Sequence, residues 1–413
     1  MVSVRPAGPG FFPLDEELGL LPGNLTPRLL NTLVRLGTTQ PSFAKASAEL
    51  AWHTGTIVHA DTARRQTEAA GMVLVAHETA ETERILREHP DPPPGPDTLI
   101  FSVDGAMVPI VGGQWREVRT LAVGAVQPPV ATPEGPVIQT TQLSYFSRMT
   151  SSSTFAEQAL PELQRRGIER AGRVGAVVDG ALWCQAFVDY HDPEAVRILD
   201  LPHAREHLTV IGQTIGPKGP LLTPADQQRV RDLLRGEGPD GVLAELRPLV
   251  AGLPPDADAH GHLAYLETRH AQLQYPQFVA AGWPIGSGMV ESANKLVVED
   301  RLKGAGMHWA EANVNPMLAL RNAYHNERWD EAWAVMEHGL RQGVRANRQA
   351  RRQQRKTVVP PGKPTGAGVP EAPVPVRPSN PPPDSPAAPK PKPVHPWRKP
   401  WSVRRQRELA GTA

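Results

Sequence analysis

Apolar positions along this chain change period, and the change divides it. Over 42–52 they recur at helical spacing, Gly55 breaks the pattern, and Asp61 can cap a second helix that ends at Ala70 before Gly71. From Asp97 the texture turns strand-like: 98–103 is a continuous apolar run, and 118–126 and 137–145 are two further β-like stretches. A helical segment at about 155–171 leads into short buried-strand candidates at 174–178 and 196–199. Three consecutive strands, followed by strands that alternate with helices, predict a mixed sheet with helices on its faces.

After Asp200 the strand pattern stops. The stretches 227–234, 242–250 and 262–273 all favour helices, which reads as a helical insertion over 216–281. Beyond it, Asn315-Pro316 is an N-cap and N1 pair for a helix to Tyr324, and Trp329, Trp333, Met336, Leu340 and Val344 form an apolar stripe on the last helix. The expected organisation is a helical region over 1–96, an α/β core over 97–215, the insertion over 216–281, a return to the core at 282–345 and a disordered tail over 346–413. The tail expectation is compositional, because 360–400 is dominated by Pro with Ala, Val, Lys and Ser and cannot bury enough apolar surface to fold alone.

A formal net charge of +1 conceals an asymmetry: 341–413 carries about 16 basic residues against 3 acidic ones, leaving about 28 against 40 upstream. A basic tail on an acidic body hints at a polyanion partner, a plain solvated tail being the alternative. The patch His395-Pro396-Trp397-Arg398-Lys399-Pro400-Trp401, followed by Arg404, Arg405 and Arg407, interleaves phosphate-binding and base-stacking side chains. Cys184 is the only cysteine, which excludes disulfides, paired CxxC zinc motifs and redox dithiols and fits a reducing compartment. Apolar runs fall well short of the roughly 18 residues that span a bilayer, so a soluble, cytoplasmic protein without a membrane partner is expected.

The two helices about Gly55 make a helix-turn-helix candidate over about 42–71. Its second helix offers Arg64, Arg65 and Gln66 to DNA, and an ordinary αα-hairpin is the competing reading. Three carboxylates sit at abrupt junctions. Asp104 ends the run Leu99-Ile100-Phe101-Ser102-Val103 and Asp179 ends Val174-Gly175-Ala176-Val177-Val178, so both are expected at the carboxyl ends of buried strands, where ligands bind in open α/β sheets. Each also begins an Asp-Gly pair, the strongest short hairpin-turn signal. Glu291 lies in Gly286-Ser287-Gly288-Met289-Val290-Glu291, one place too late for a capping box on Ser287; the helix dipole and a pair with Lys295 are its other roles.

Grouped carboxylates suit a hard divalent cation, and two such ions about 4 Å apart can activate a water or a 3′-hydroxyl at a phosphodiester. Asp200 and His203 form an Asp-x-x-His spacing; His203 and His207 also permit a zinc reading, and a capped helix with surface histidines is the third. No phosphate loop, dinucleotide fingerprint or nucleophile elbow is present.

At these residues the chain resembles a known family. Gly282-Trp283-Pro284-Ile285-Gly286-Ser287-Gly288-Met289-Val290-Glu291-Ser292-Ala293-Asn294-Lys295, continuing through Arg301-Leu302-Lys303 and Gly306-Met307-His308-Trp309 to Met317-Leu318-Ala319-Leu320-Arg321-Asn322, is similar to bacterial insertion-sequence transposases of the Kra type. Phe12-Pro13-Leu14-Asp15, Val103-Asp104-Gly105, Trp115-Arg116-Glu117, Val178-Asp179-Gly180-Ala181-x-Trp183 and Asp200-x-x-His203 extend the resemblance to about Trp333. It departs at the N-terminus, where a cysteine-bearing segment is expected.

The resemblance implies a DDE transposase with an RNase H-like core, related to Mutator-like enzymes. It implies Asp104 on the first strand, Asp179 on the fourth and Glu291 on the helix after the insertion as catalytic acids that hold two Mg²⁺ ions, with Mn²⁺ able to substitute. Asp200 and His203 match a supporting Asp/Cys-x-x-His signature, and Asp200 either supplements or replaces Asp179. Lys295, Arg301 and Lys303 are expected to face the DNA backbone. Element ends and target DNA are the implied partners, bound by a homo-oligomer at the nucleoid. The rival readings are a Mg²⁺-dependent structure-specific nuclease without strand transfer and a non-catalytic DNA-binding protein derived from a transposase.

Overall fold

A computed structural model of the chain describes residues 19–132, 135–215 and 224–357; the Phe12 to Asp15 motif and the Trp397 to Arg407 patch lie outside these. Three helices come first: α1 (Pro27–Thr39), α2 (Phe43–Thr54) and α3 (Ala60–Glu88). Each begins where a polar side chain accepts from a free amide, Thr26 from Leu29, Ser42 from Lys45 and His59 from Asp61. Gly55 ends α2 in the left-handed conformation at φ 69°. Gly71, contrary to expectation, does not stop α3. A Cβ there would lie 2.4 Å from the Pro316 carbonyl oxygen, so this glycine marks a helix crossing at backbone contact. The second helix of the pair about Gly55 is therefore 29 residues long, with Ala63, Thr67, Ala70 and Leu74 buried along it.

The strands follow. A hairpin of β1 (Thr98–Ile110) and β2 (Gln114–Val126) leads through a small ribbon, β3 (Val130–Thr132) with β4 (Gly135–Val137), to β5 (Thr140–Arg148). Then come α4 (Ser152–Arg165), β6 (Arg173–Val178), α5 (Leu182–His191) and β7 (Val196–Leu199). The main sheet has the order β5-β2-β1-β6-β7; β2 is antiparallel to β1 and β5, while β6 and β7 run parallel to β1. The expected mixed α/β sheet is present.

Neither Asp-Gly pair is a hairpin turn, and β1 does not end at Val103. Buried Ala106 and Val108 flank exposed Met107, so the period-two pattern resumes after Asp104-Gly105 and carries the strand to Ile110. The turn comes instead at Gly112 and Gly113, whose φ values are 98° and 81°. Odd positions of β1 (Leu99, Phe101, Val103) pack with Phe155 and Phe187 of α4 and α5. Even positions face the other side, where Ile100 joins Val177 and Ile198, and Ala106 and Val108 join Val290, Ala293 and Val297.

After β7 the chain is helical: α6 (Leu201–Ile215), α7 (Pro224–Glu237), α8 (Pro239–Ala251), α9 (Asp258–Thr268), a 3₁₀ turn (His270–Leu273) and α10 (Tyr275–Ala280). Helix α11 (Gly288–Ala293) continues through a π-helical segment (Asn294–Glu299) into α12 (Asp300–Leu302), and α13 (Glu311–His325) and α14 (Trp329–Thr357) complete the described chain. Two expectations are corrected here. Asn315-Pro316 does not open α13; Pro316 is inside the helix, and the Asn315 amide exchanges two hydrogen bonds with the Met149 backbone, at 2.8 and 3.1 Å. Asn322 does the same with Ser147 and Asn326 with Tyr145. Two amides on α13 and the one that caps it thus satisfy the free edge of β5 and the residue after it, an edge that would otherwise present bare backbone. The last helix, whose stripe of Trp329, Trp333, Met336 and Leu340 is buried as expected, continues past the boundary expected at 345. It runs to Thr357 because the Arg-, Gln- and Ala-rich sequence beyond is strongly helix-forming and its cations suit a helix C-terminus.

Candidate active site

Asp104, Asp179 and Asp200 stand in one row across three neighbouring strands. Phe101 pairs with Ala176, so three residues on, Asp104 comes level with Asp179; Val178 pairs with Leu199, so one residue on, Asp179 comes level with Asp200. Adjacent strands lie about 4.8 Å apart, and residues at one level of a sheet share a face. Asp179 follows the last residue of β6 as expected. Asp104 is instead in the middle of β1, at the level where its parallel neighbour ends.

The Asp104 carboxylate accepts from the Gly105 amide at 2.7 Å and from the Asn294 side-chain amide at 2.8 Å. Burial, with the charges of Asp179 and Glu291 added, pushes its carboxyl above the ordinary range against those two bonds. Asp104 therefore feels the charges of both other acids. None has an ion-pair partner among the described residues. Asp179 Oδ1 accepts from the Ala181 amide at 2.9 Å, fixing the strand-to-helix turn.

That turn is held from the insertion. The Tyr265 hydroxyl donates to the Asp179 carbonyl, and Arg269 donates to the Gly180 carbonyl at 2.5 Å while lying 3.7 Å over the Tyr265 ring. Gly180 has φ 78°, and a Cβ there would meet the Tyr265 hydroxyl at 2.4 Å, so only glycine fits. Sequence reasoning missed this clamp, because Tyr265 and Arg269 belong to no local motif.

Glu291 is on α11, which packs on β1 and β2. Its carboxylate accepts from the Ser287 hydroxyl at 3.2 Å; the alternative pair with Lys295 is not formed. One turn further, the helix widens. The carbonyls of Leu296 and Val297 accept from the buried Arg321 guanidinium within this π-helical stretch, a side chain that takes the place of ordinary ladder donors. Asn294 opens that segment and is 6% exposed.

Asp200 takes a different part. It is 5% exposed, with one oxygen accepting from the His203 amide at 3.1 Å and the other from the Ser287 amide at 2.7 Å. It caps α6 and ties down the Gly286-Ser287-Gly288 loop that launches α11. His203 pairs with Glu206 at 3.5 Å, and His207 and His262 meet through their Nδ1 atoms at 2.8 Å. Burial pushes His207 down to about 4.

The expected DNA-facing cations divide. Arg301 is a correction: it is 1% exposed, stacked between Phe43 at 4.7 Å and Trp309 at 5.1 Å and bonded to the Gly37 carbonyl at 3.3 Å, so it fastens α12 to the N-terminal helices. Arg64 pairs with Asp61 and Glu68, Arg65 with Asp61, and Lys303 with Glu299. Lys295 is exposed and has no ion-pair partner among the described residues.

Among the described residues, no three His, Cys, Asp or Glu side chains stand close enough to share a metal ion, and no helix is long and apolar enough to cross a membrane. No family model matches the chain, and no curated protein matches it in sequence.

Proposed function

We propose that the chain is a DDE transposase of the Kra type with an RNase H-like core, which binds element ends, cleaves phosphodiester bonds and transfers strands. One observation supports this reading: Asp104 on β1 feels the charges of Asp179, at the end of β6, and of Glu291, on α11, and none of the three has an ion-pair partner among the described residues. Crowded carboxylates raise one another's pKa and cost stability unless a cation or a shared proton compensates. The mixed sheet and the helical insertion before α11 agree with the fold the resemblance implies.

The donors are all carboxylate oxygens, the set a hard divalent cation prefers, so they fit Mg²⁺ or Mn²⁺. Asp104, Asp179 and Glu291 would hold it. Glu291 is exposed and tethered only through Ser287, so a rotamer change can draw it in at small cost. Two such ions, when bound, lower the pKa of a nucleophilic water and stabilise the leaving oxygen. Asp200 is assigned a supporting part, because it is buried and its two bonds cap α6 and tie down the loop before α11. Tyr265 and Arg269 orient the Asp179 turn, and Lys295 is the cation best disposed to meet a DNA phosphate.

Purified Asp104→Asn and Glu291→Gln proteins should lose Mg²⁺-dependent cleavage while retaining binding to the element ends. Cleavage retained in either variant overturns the assignment. Joining of pre-cleaved ends to target DNA separates a transposase from a nuclease, which would cut and not join.

A further inference from the structure

Asn294 is polar and buried, and although it stands in the same stretch as Glu291 it has been given no role so far. Its amide nitrogen donates to Asp104 Oδ2 at 2.8 Å across a sequence separation of 190 residues, and its amide oxygen has no partner among the described residues. The orientation of the amide follows from chemistry, since an ionised carboxylate can only accept. A buried amide with an unpaired oxygen destabilises a fold, so packing does not explain the residue; the bond to Asp104 does.

The surrounding helix supports that geometry. Asn294 is the first residue of the π-helical segment, one turn after Glu291, and the Arg321 guanidinium holds the Leu296 and Val297 carbonyls away from ordinary helical pairing. Val297 and Val298, which follow, are buried against β1 and β2 with Ala106, Val118 and Ala122. Asn294 thus addresses Asp104 from a helix that carries Glu291 one turn earlier and is held by a buried arginine on α13.

We infer that Asn294 is a positioning residue: its amide, with the Gly105 N–H, fixes the plane of the Asp104 carboxylate so that the oxygens are preset toward Asp179 before a cation arrives. This rests on the metal-dependent reading of the three acids. Each Asp104 oxygen has one donor and keeps a lone pair for a metal. Groups that orient ligands in this way are worth about 10–100-fold in metal affinity.

Mn²⁺ binding to the full chain, followed by electron paramagnetic resonance, tests it. Asn294→Leu, nearly isosteric and without the donor, should bind Mn²⁺ about ten- to a hundredfold more weakly. Its cleavage should recover toward the wild-type rate at saturating Mg²⁺, a change in metal requirement rather than in kcat. Asn294→Ser, too short to reach Asp104, carries the same expectation should the leucine variant fold poorly. Wild-type Mn²⁺ affinity in Asn294→Leu or Asn294→Ser, while Asp104→Asn has lost binding, overturns the inference. Wild-type affinity in Asp104→Asn as well overturns the metal-dependent reading on which it stands.

Discussion

Asp104 and Asp179 come level with each other where the parallel strands β1 and β6 run side by side, and neither has an ion-pair partner among the described residues. The consequence for stability can be signed. Burial and the two neighbouring acids raise the Asp104 carboxyl in the folded state, so the folded protein holds this proton more tightly than the unfolded chain. The cost is absent at acid pH, appears as pH climbs past the unfolded carboxylate range and is complete above the raised folded value. Asp104→Asn should therefore melt higher than the wild type at neutral pH without metal. Calorimetry with and without Mg²⁺ checks it: the ion should raise the melting temperature of the wild type and leave the variant unmoved. A variant that melts lower at pH 7 would show that the carboxylate is not strained.

The edge of β5 supports a second expectation. Asn322 is buried, and its amide bonds both the N–H and the C=O of Ser147, at 3.1 and 3.3 Å. Asn322→Leu keeps the volume and strips both partners from the edge strand, so it should destabilise by roughly 2–4 kcal/mol, one to two unsatisfied buried groups. Urea unfolding measures the loss. A change under about 0.5 kcal/mol would mean that the β5 backbone finds other partners.

How much of this was legible in the sequence follows from the range of each interaction. The apolar runs of β6 and β7 and the position of Asp179 are local features, and they read correctly. The end of β1 did not, because Asp-Gly inside an apolar run looks like a turn, whereas Gly105 lies in mid-strand, with the Glu117 carboxylate over the place a Cβ would take. Gly71 misread as a helix stop for the same reason, since what demands glycine is the Pro316 carbonyl. Asn294, Asn315, Asn322 and Asn326 carry no local signal at all. Their partners lie 166 to 190 residues away, and an asparagine on a helix ordinarily suggests nothing beyond a solvated face.

The two cations Arg301 and Lys295 should separate stability from DNA binding. Arg301 lies between two aromatic rings with no ion-pair partner among the described residues, and burial lowers its pKa to about 10. Arg301→Ala should cost about 3 kcal/mol or more through lost packing and lost anchoring of the Gly37 carbonyl. Lys295→Ala should leave the melting temperature within a degree or so, weaken binding to any duplex and reduce the salt slope by about 1. Filter binding over a salt series, beside thermal melts, reads both. Arg301→Ala that folds normally but binds DNA poorly would return that residue to the surface.

The steepest pH dependence should come from His191. Burial pushes its pKa down to about 4, a bond to the Ala156 backbone pulling the other way, and the ring lies 4.4 Å from that of Phe187. Its Nε2 is buried without a partner among the described residues, so the folded state holds the neutral imidazole. The unfolded chain takes up a proton near 6.5 and the folded one only near 4, so this contribution is complete above about pH 6.5 and is lost as pH falls toward 4. Its full size is about 3 kcal/mol, and it contributes a slope of about 1.4 kcal/mol per pH unit at pH 5. His207 and His325 are held near 4 in the same way and add to the acid limb. His191→Phe matches the aromatic surroundings and cannot take up the proton, so it should reduce proton uptake on unfolding at pH 5 by about one. Guanidinium melts from pH 4 to pH 8 give the slope directly, and an unchanged acid limb in the phenylalanine variant would show that His191 is already charged in the folded protein.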